Sequence, residues 1–276
     1  MIDKYIYDYF AKFVFEKTGI FYPEKDYYRL DSRINKLISE YQCADAKEVY
    51  TKFTTSRSPD MEQFLINICT NNETYFFRDD KPFKALTEDM LPELQKNFPG
   101  AMINIWSCAS STGQEPLSVI MSILEKFNNS IRFTFDATDI STDALTKAKR
   151  GKYTNLDVQR GLPITLLVKY FESVDGGDWQ AKPEILNKVN YSEFNLFSTN
   201  FPVNKYHVIF CRNVLIYQDS KNKAQILSKL AQALVPGGFL VMGAGESLIG
   251  TGVELDQKTL SGSMVFQRAP LQKSVA

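Results

Sequence analysis

The stretch Thr70–Asp79, TNNETYFFRD, combines side chains that seldom share one short segment. Tyr75, Phe76 and Phe77 in a row do not suit a solvated loop, and Asn71, Asn72, Glu73 and Arg78 do not suit a core helix. A segment that is both apolar and densely polar lies across a groove, with some side chains anchoring it and others facing a ligand. The competing reading is a capped helix start, with Asn72 or Thr74 as cap, buried aromatics and a surface ion pair at Arg78.

Other residues narrow the chemistry by elimination. The single histidine, His207, lies in the apolar run Tyr206–Phe210 and reads as part of a strand. This position argues against a Ser-His-Asp or Cys-His mechanism and against a histidine-based metal site. Cys43, Cys69, Cys108 and Cys211 are far apart and lack metal-ligand spacing, so reduced, partly buried thiols and no metal are expected. Carboxylates, Arg, Tyr, backbone groups or a cofactor must carry the reaction.

Two patterns of elements position these groups. Ile2, Tyr5, Ile6, Tyr9, Phe10, Phe13 and Val14 recur at helical spacing. A second helix is predicted from about Glu24 to Tyr41, a third over Asp45–Phe53, and a fourth from Ser58-Pro59-Asp60 toward Cys69. Residues 1–85 thus read as a small helical N-terminal domain ending in the mixed segment. From Ala101 onward strands alternate with helices. Ile103–Trp106, Ile131–Thr138, Tyr206–Phe210, Phe239–Met242 and Ser263–Gln267 read as strands. Glu115–Phe127, Ser141–Arg150, Pro163–Phe171 and Lys221–Leu234 read as helices, and Pro236-Gly237-Gly238 as a tight turn. This alternation predicts an α/β domain over residues 86–269 with a mostly parallel sheet. A small β insertion is expected at about 172–194 and a disordered tail at 270–276.

Ligands bind such sheets at the carboxyl ends of the strands. After the first strand, Ser107–Gly113 is small and polar and leads into a helix, a backbone a ligand can approach closely. It lacks the G-x-G-x-x-G of a dinucleotide site. Glu115 either receives a ligand's ammonium group or complements the helix dipole. Asp139, after the second strand, either accepts hydrogen bonds from ribose hydroxyls or caps a helix. Arg212 and Asn213, after a later strand, either line the cleft or form a loop ion pair and a turn. Asn195, followed by Leu196, either reads an adenine edge or shapes a turn.

The 276 residues allow one large domain or two. With 44% hydrophobic and 23% charged residues, the composition is that of a soluble globular protein. Lys plus Arg and Asp plus Glu each total 32, so net charge predicts neither nucleic-acid nor membrane binding. No apolar run of about 18 residues is present. The start, MIDKYIYDYF, does not read as a signal peptide. A cytoplasmic monomer is expected.

TNNETYFFRD resembles the T-x-N-E-T-x-F-F-R-D signature of the CheR family, the chemotaxis receptor methyltransferases. IWSCASSTGQEP is similar to that family's W-x-A-x-x-S-T-G-E-E-P, and FNLF, IFCRNVLIY and LVPGGFLVMGAGESL also match, so the likeness runs from about Tyr5 to Gln267. Ser107, Gln114, Leu117 and Asp80 depart from the family pattern. The resemblance implies a helical domain joined to a Rossmann-like methyltransferase domain with a small antiparallel insertion. It implies methyl transfer from S-adenosylmethionine to receptor glutamates, with S-adenosylhomocysteine as product. Cofactor contacts are implied for Asn72, Thr74, Arg78, Glu115, Asp139, Asn195, Leu196, Arg212 and Asn213, with Arg78 and Tyr217 beside the reacting groups. The family meets acidic receptor helices with a basic helical domain, which here points to Lys25, Arg29, Arg33 and Lys36. A small-molecule methyltransferase and a non-catalytic cofactor-binding module are the rival readings.

Overall fold

The structure, a computed structural model, describes residues 2–271; the rest of the expected tail, 272–276, lies outside the described residues. Four helices come first: α1 (Lys4–Thr18), α2 (Tyr28–Glu40, preceded by a 3-10 turn at Glu24–Asp26), α3 (Ala46–Thr55) and α4 (Pro59–Cys69). Their ends follow local chemistry. Asp45 accepts the Lys47 and Glu48 N–H groups, and Ser58 accepts that of Met61 with Pro59 in the first turn. Phe10, Val14, Leu30, Ile34, Leu37, Phe53 and Leu65 close a core of their own that ends at Cys69. Phe76 and Phe83 already belong to the core of the sheet domain. Packing therefore changes hands between residues 70 and 76, ahead of the boundary expected near 85.

The next helical stretch was not expected from the sequence. It consists of α5 (Lys81–Ala85), a π turn (Leu86–Met90) and α6 (Leu91–Asn97). Phe83, Leu86, Met90, Leu91 and Leu94 are buried, at the spacing of a core-facing helix. Pro92 has no N–H to give, and the Leu91 N–H reaches the Leu86 carbonyl instead of a carbonyl four residues back.

The remaining elements are β1 (Ile103–Ser107), α7 (Gln114–Phe127), β2 (Phe133–Asp139), α8 (Thr142–Arg150), β3 (Lys152–Tyr153), α9 (Asn155–Gln159), α10 (Ile164–Tyr170), β4 (Phe171–Val174), β5 (Asp178–Ala181), α11 (Pro183–Leu186), β6 (Asn190–Glu193), β7 (Tyr206–Cys211), α12 (Ser220–Ala233), β8 (Leu234–Met242), β9 (Asp256–Leu260) and β10 (Ser263–Gln267). The main sheet has the order β6-β2-β1-β7-β8-β10-β9. β6 through β8 run parallel, and β10 is antiparallel to both of its neighbours. From β1 the chain builds outward to β2 and β6, then returns to place β7 on β1's other side. The topological switch, where such sheets bind ligands, therefore falls between β1 and β7.

Three expectations need correction. The small antiparallel sheet is β3-β5-β4, so the insertion spans 152–181 rather than 172–194, and β6 belongs to the main sheet. A two-residue strand such as β3 carries no readable period, and β6, exposed along most of its length at the sheet edge, has no apolar alternation. Pro236-Gly237-Gly238 does not end an element. It lies inside β8, with Gly237 at φ 84° and a register shift opposite Tyr206–Val208. Edge strand β9 was also not expected, because DQKTL is largely polar.

His207 is buried, accepts the Asn104 N–H at 3.0 Å through Nδ1 and meets the Phe98 ring edge-on. Burial lowers its pKa, which keeps the ring neutral. Among the described residues no helix is long and apolar enough to cross a membrane.

The helical layer is bonded to the sheet domain at several points. Asn67 accepts the Thr142 N–H at 3.0 Å, Gln63 donates to the Ile140 carbonyl at 3.0 Å, and Gln218 donates to the Thr18 carbonyl at 3.2 Å. Gly19 ends α1 at φ 70°, and a Cβ there would lie 2.0 Å from Gln218 Oε1 and 2.1 Å from Phe197. Gly19→Ala should therefore cost about 1–3 kcal/mol of stability, from backbone strain and forced separation of the layers. Urea denaturation checks this; an unchanged midpoint would show that the layers are not in tight contact there.

Candidate functional site

A cleft open to solvent lies at the β1/β7 switch point. Asn72, Thr74, Arg78, Glu115, Asp139, Asn195, Leu196, Arg212, Asn213 and Tyr217 all line it. The helical layer contributes Thr18 and Ile20 to the wall. Lys25, Arg29, Arg33 and Lys36 are not part of the lining.

Residues 70–76 cross the cleft as irregular backbone, so the capped-helix reading does not hold. Phe76 is fully buried, with its ring 5.0 Å from Tyr153 and 5.6 Å from Phe171, both in the β insertion. Phe77 donates its N–H to Ser118 Oγ at 3.0 Å and packs edge-on against Phe83. Phe77 and Asp79 have φ of 51° and 55°, conformations that side chains other than glycine resist. The anchors hold this strain in place. Arg160, from the insertion, pairs with Glu73 at 2.9 Å and stacks over Tyr75, 4.4 Å from its centroid. Arg78 lies over the same ring at 5.5 Å and donates to the Glu73 carbonyl at 3.4 Å. It makes no ion pair among the described residues.

Arg212 lies at the centre. Its side chain is 2% exposed and reaches Glu115 at 2.9 Å, Asp79 at 3.0 Å and the Arg78 carbonyl at 2.5 Å. Glu115 also accepts the Ser107 hydroxyl at 2.8 Å. Arg212 is thus both an ion-pair partner and a cleft wall, and Glu115 is a neutralised carboxylate rather than an isolated one. Among the described residues buried Arg212 Nε has no hydrogen-bond partner. A buried donor left unpaired points to an acceptor on a bound ligand.

Asp139 accepts the Ser111 N–H at 2.8 Å and the Ser141 N–H at 2.9 Å. It does not cap α8; Ser141 does, through the Ala144 N–H. Burial pushes the Asp139 pKa up, while hydrogen bonds from the Ser141, Ser111 and Ile140 backbone work against the rise. Ser111 also donates its hydroxyl to the Asn72 carbonyl at 2.9 Å, tying the crossing segment to the loop after β1. The Asn195 side chain is committed at both ends, donating to the Lys17 carbonyl at 2.8 Å and accepting the Phe197 N–H at 2.9 Å. These two bonds shape the turn while the side chain still lines the cleft. Leu196 is buried beside it.

Asn213 has a φ of 59° and follows β7 directly. Its conformation depends on Glu246, which the sequence analysis did not single out. Glu246 is buried and accepts the Asn213 and Gly243 N–H groups through Oε2 and the Leu215 N–H through Oε1, each at 2.8 Å. It lies in the matching stretch LVPGGFLVMGAGESL, four residues past the end of β8, where the resemblance gave it no role. Asp79 and Asn71 lie inside the TNNETYFFRD segment, but the sequence gives neither a role of its own. Cys108 lines the cleft next to buried Cys211. The neighbouring Cys108 thiol and burial push the Cys211 thiol well up, so it is not a nucleophile at neutral pH.

The mostly parallel sheet with one antiparallel strand, the loop after β1 and the acid that ends β2 form the cleft of a Rossmann-like domain. Residues 72–263 match the family model described as CheR methyltransferase, SAM binding domain. The chain belongs to this family. It is 33% identical over 267 residues to chemotaxis protein methyltransferase Cher2 of Pseudomonas putida, covering 95% of this chain and 97% of that one. It is 36% identical over 247 residues to chemotaxis protein methyltransferase 1 of Pseudomonas aeruginosa, covering 88% and 90%. The protein of the same name from Vibrio cholerae is also 36% identical, with 87% and 88% covered. The matched region begins at Asn72, inside the segment where packing passes from one core to the other.

Glu246→Gln replaces one acceptor oxygen with a donor that must face a backbone N–H. It should cost about 1–3 kcal/mol in urea denaturation and weaken cofactor binding in calorimetry. Wild-type stability and affinity would show that the loop after β7 keeps its shape without the carboxylate.

Proposed function

We propose that this enzyme methylates glutamate carboxylates on the cytoplasmic helices of chemotaxis receptors, producing glutamate methyl esters. The observation that carries this reading is Arg78: a cation without a carboxylate partner among the described residues, in a methyltransferase cleft beside Tyr217. The relatives' printed role in chemotaxis supports the same substrate class.

The residues fit the cofactor. The Glu115–Arg212 pair presents both signs of charge, as a zwitterionic amino acid end requires, and Arg212 Nε offers an unused donor. Asp139 faces the cleft with oxygens that can accept further hydrogen bonds from ribose hydroxyls. Leu196 offers an apolar surface for adenine, and Asn195 acts by shaping that turn. Asn72, Thr74 and Asn213 complete the enclosure. When bound, S-adenosylmethionine supplies a methyl group already activated by its sulfonium.

No general base is then needed, because a glutamate carboxyl with a reference pKa of about 4.3 is ionised at neutral pH. What the chain must supply is alignment and exclusion of water. Arg78 attracts and orients the incoming carboxylate, and Tyr217 sets its final position. Arg78 is held mainly by ring stacking and one long hydrogen bond, so it can shift toward a substrate without breaking an ion pair.

For docking, Lys25, Arg29 and Lys36 are exposed and make no ion pairs among the described residues, a surface suited to an acidic helix. Lys25 lies on the 3-10 turn rather than on α2. Arg33 differs from the others: it is half-buried, its enclosed Nε has no partner among the described residues, and it lies near Cys69 and Tyr22. It is better placed to support the surface than to form it.

Incubation with radiolabelled S-adenosylmethionine and receptor cytoplasmic fragments should place base-labile label on glutamate. Label on a small metabolite, or none, would reject the reading. Arg78→Ala and Tyr217→Phe should each lower turnover about tenfold or more at saturating cofactor, with cofactor affinity little changed. Equal rates in both variants would remove those roles. Charge reversal at Arg29 and Lys36 should raise KM for the receptor fragment and spare cofactor binding; the opposite pattern would assign this face elsewhere.

A further inference from the structure

Tyr217 has a partner to which the TNNETYFFRD signature gives no role. Asn71 Nδ2 lies 2.7 Å from the Tyr217 hydroxyl, and both residues line the cleft. Asn71 occupies the unspecified position of T-x-N-E-T, which is why the resemblance gave it no role.

The direction of this hydrogen bond follows from the other end of the amide. Asn71 Oδ1 lies 3.3 Å from the Glu73 backbone nitrogen. A backbone N–H can only donate, so the oxygen of the amide must face it. The amide nitrogen is thereby turned toward Tyr217. An amide nitrogen also only donates, so the phenol oxygen accepts. The single phenolic proton is left for another acceptor, and no protein group among the described residues takes it. With its oxygen already accepting a bond, the hydroxyl is also the stronger donor.

Resting on the proposed role of Tyr217, we propose that Asn71 is a positioning residue that commits the Tyr217 hydroxyl to donate toward the incoming substrate carboxylate. Without it the phenol can rotate and point its proton back at the crossing segment. Asn71 and Tyr217 come from opposite sides of the cleft, the crossing segment and the turn after β7. The donor is therefore set only when both are in place. The Phe21 N–H on the Tyr217 carbonyl at 3.5 Å adds the helical layer to the same arrangement.

The test uses the full chain, receptor cytoplasmic fragment and saturating S-adenosylmethionine. Asn71→Asp keeps an oxygen for the Glu73 N–H and nearly the same shape, but presents an acceptor to the phenol and captures its proton. It should lower kcat about tenfold, more than Asn71→Ala does, with cofactor affinity unchanged. In a Tyr217→Phe background the same Asp substitution should change kcat by less than about twofold. A merely structural Asn71 predicts the reverse order, because Asp preserves its bond to the backbone and Ala does not. Simple charge repulsion of the substrate predicts an equal loss in both backgrounds. Either result overturns the proposal. Wild-type turnover in Tyr217→Phe alone would remove the role of Tyr217 and this proposal with it, while labelling of receptor glutamates by the wild-type chain would still stand.

Discussion

The ion cluster around Arg212 is the constraint on which the site depends. A guanidinium enclosed this fully costs several kcal/mol of desolvation unless it is paired and hydrogen-bonded. Here it is met by Glu115 at the start of α7, by Asp79 and by the Arg78 carbonyl. Two separate stretches of chain, the crossing segment at Arg78–Asp79 and the start of α7, are thus drawn to the end of β7. Losing one partner of such a cluster costs about 3–5 kcal/mol, because the remaining charge is left buried. The same pairing explains the left-handed backbone at Asp79: the strained turn brings its carboxylate to Arg212, while Phe76 and Phe77 hold the segment on either flank.

A second layer of organisation comes from the four-helix core. It has its own apolar interior yet supplies part of the cleft wall through Thr18 and Ile20. Its bonds to the sheet domain are short and local, from Gln63, Asn67, Thr18 and the Lys17 carbonyl. The exposed basic residues of this layer and the cleft therefore share one scaffold. In the proposed reading, a receptor helix held on the basic face delivers its glutamate to Arg78 across a boundary only a few residues wide.

Much of the site was legible in the sequence because an open parallel sheet restricts where chemistry can occur. Once β1, β2 and β7 could be recognised from their apolar runs, Glu115, Asp139, Arg212 and Asn213 were marked by position alone. What remained hidden depends on contacts distant in the chain. Nothing local shows that Glu115 is neutralised by a residue 97 positions away, or that Glu246 reaches back 33 positions to hold Asn213. Asn195 reads as open between two roles, and its bond to the Lys17 carbonyl, 178 positions away, has no local signal. Of the elements, β3 was too short and β6 and β9 too polar for periodicity, whereas the helix after Lys81 had a clear apolar stripe that was passed over.

The central claim is that the cleft at the β1/β7 switch, organised by Arg212, holds the methyl donor against Arg78 and Tyr217. A crystal structure of the chain with S-adenosylhomocysteine tests it most directly. The account predicts the amino acid end beside Glu115 and Arg212 Nε, the ribose at Asp139, and the sulfur facing Arg78 and Tyr217. Product bound elsewhere, or with its sulfur turned away from those two side chains, would contradict it.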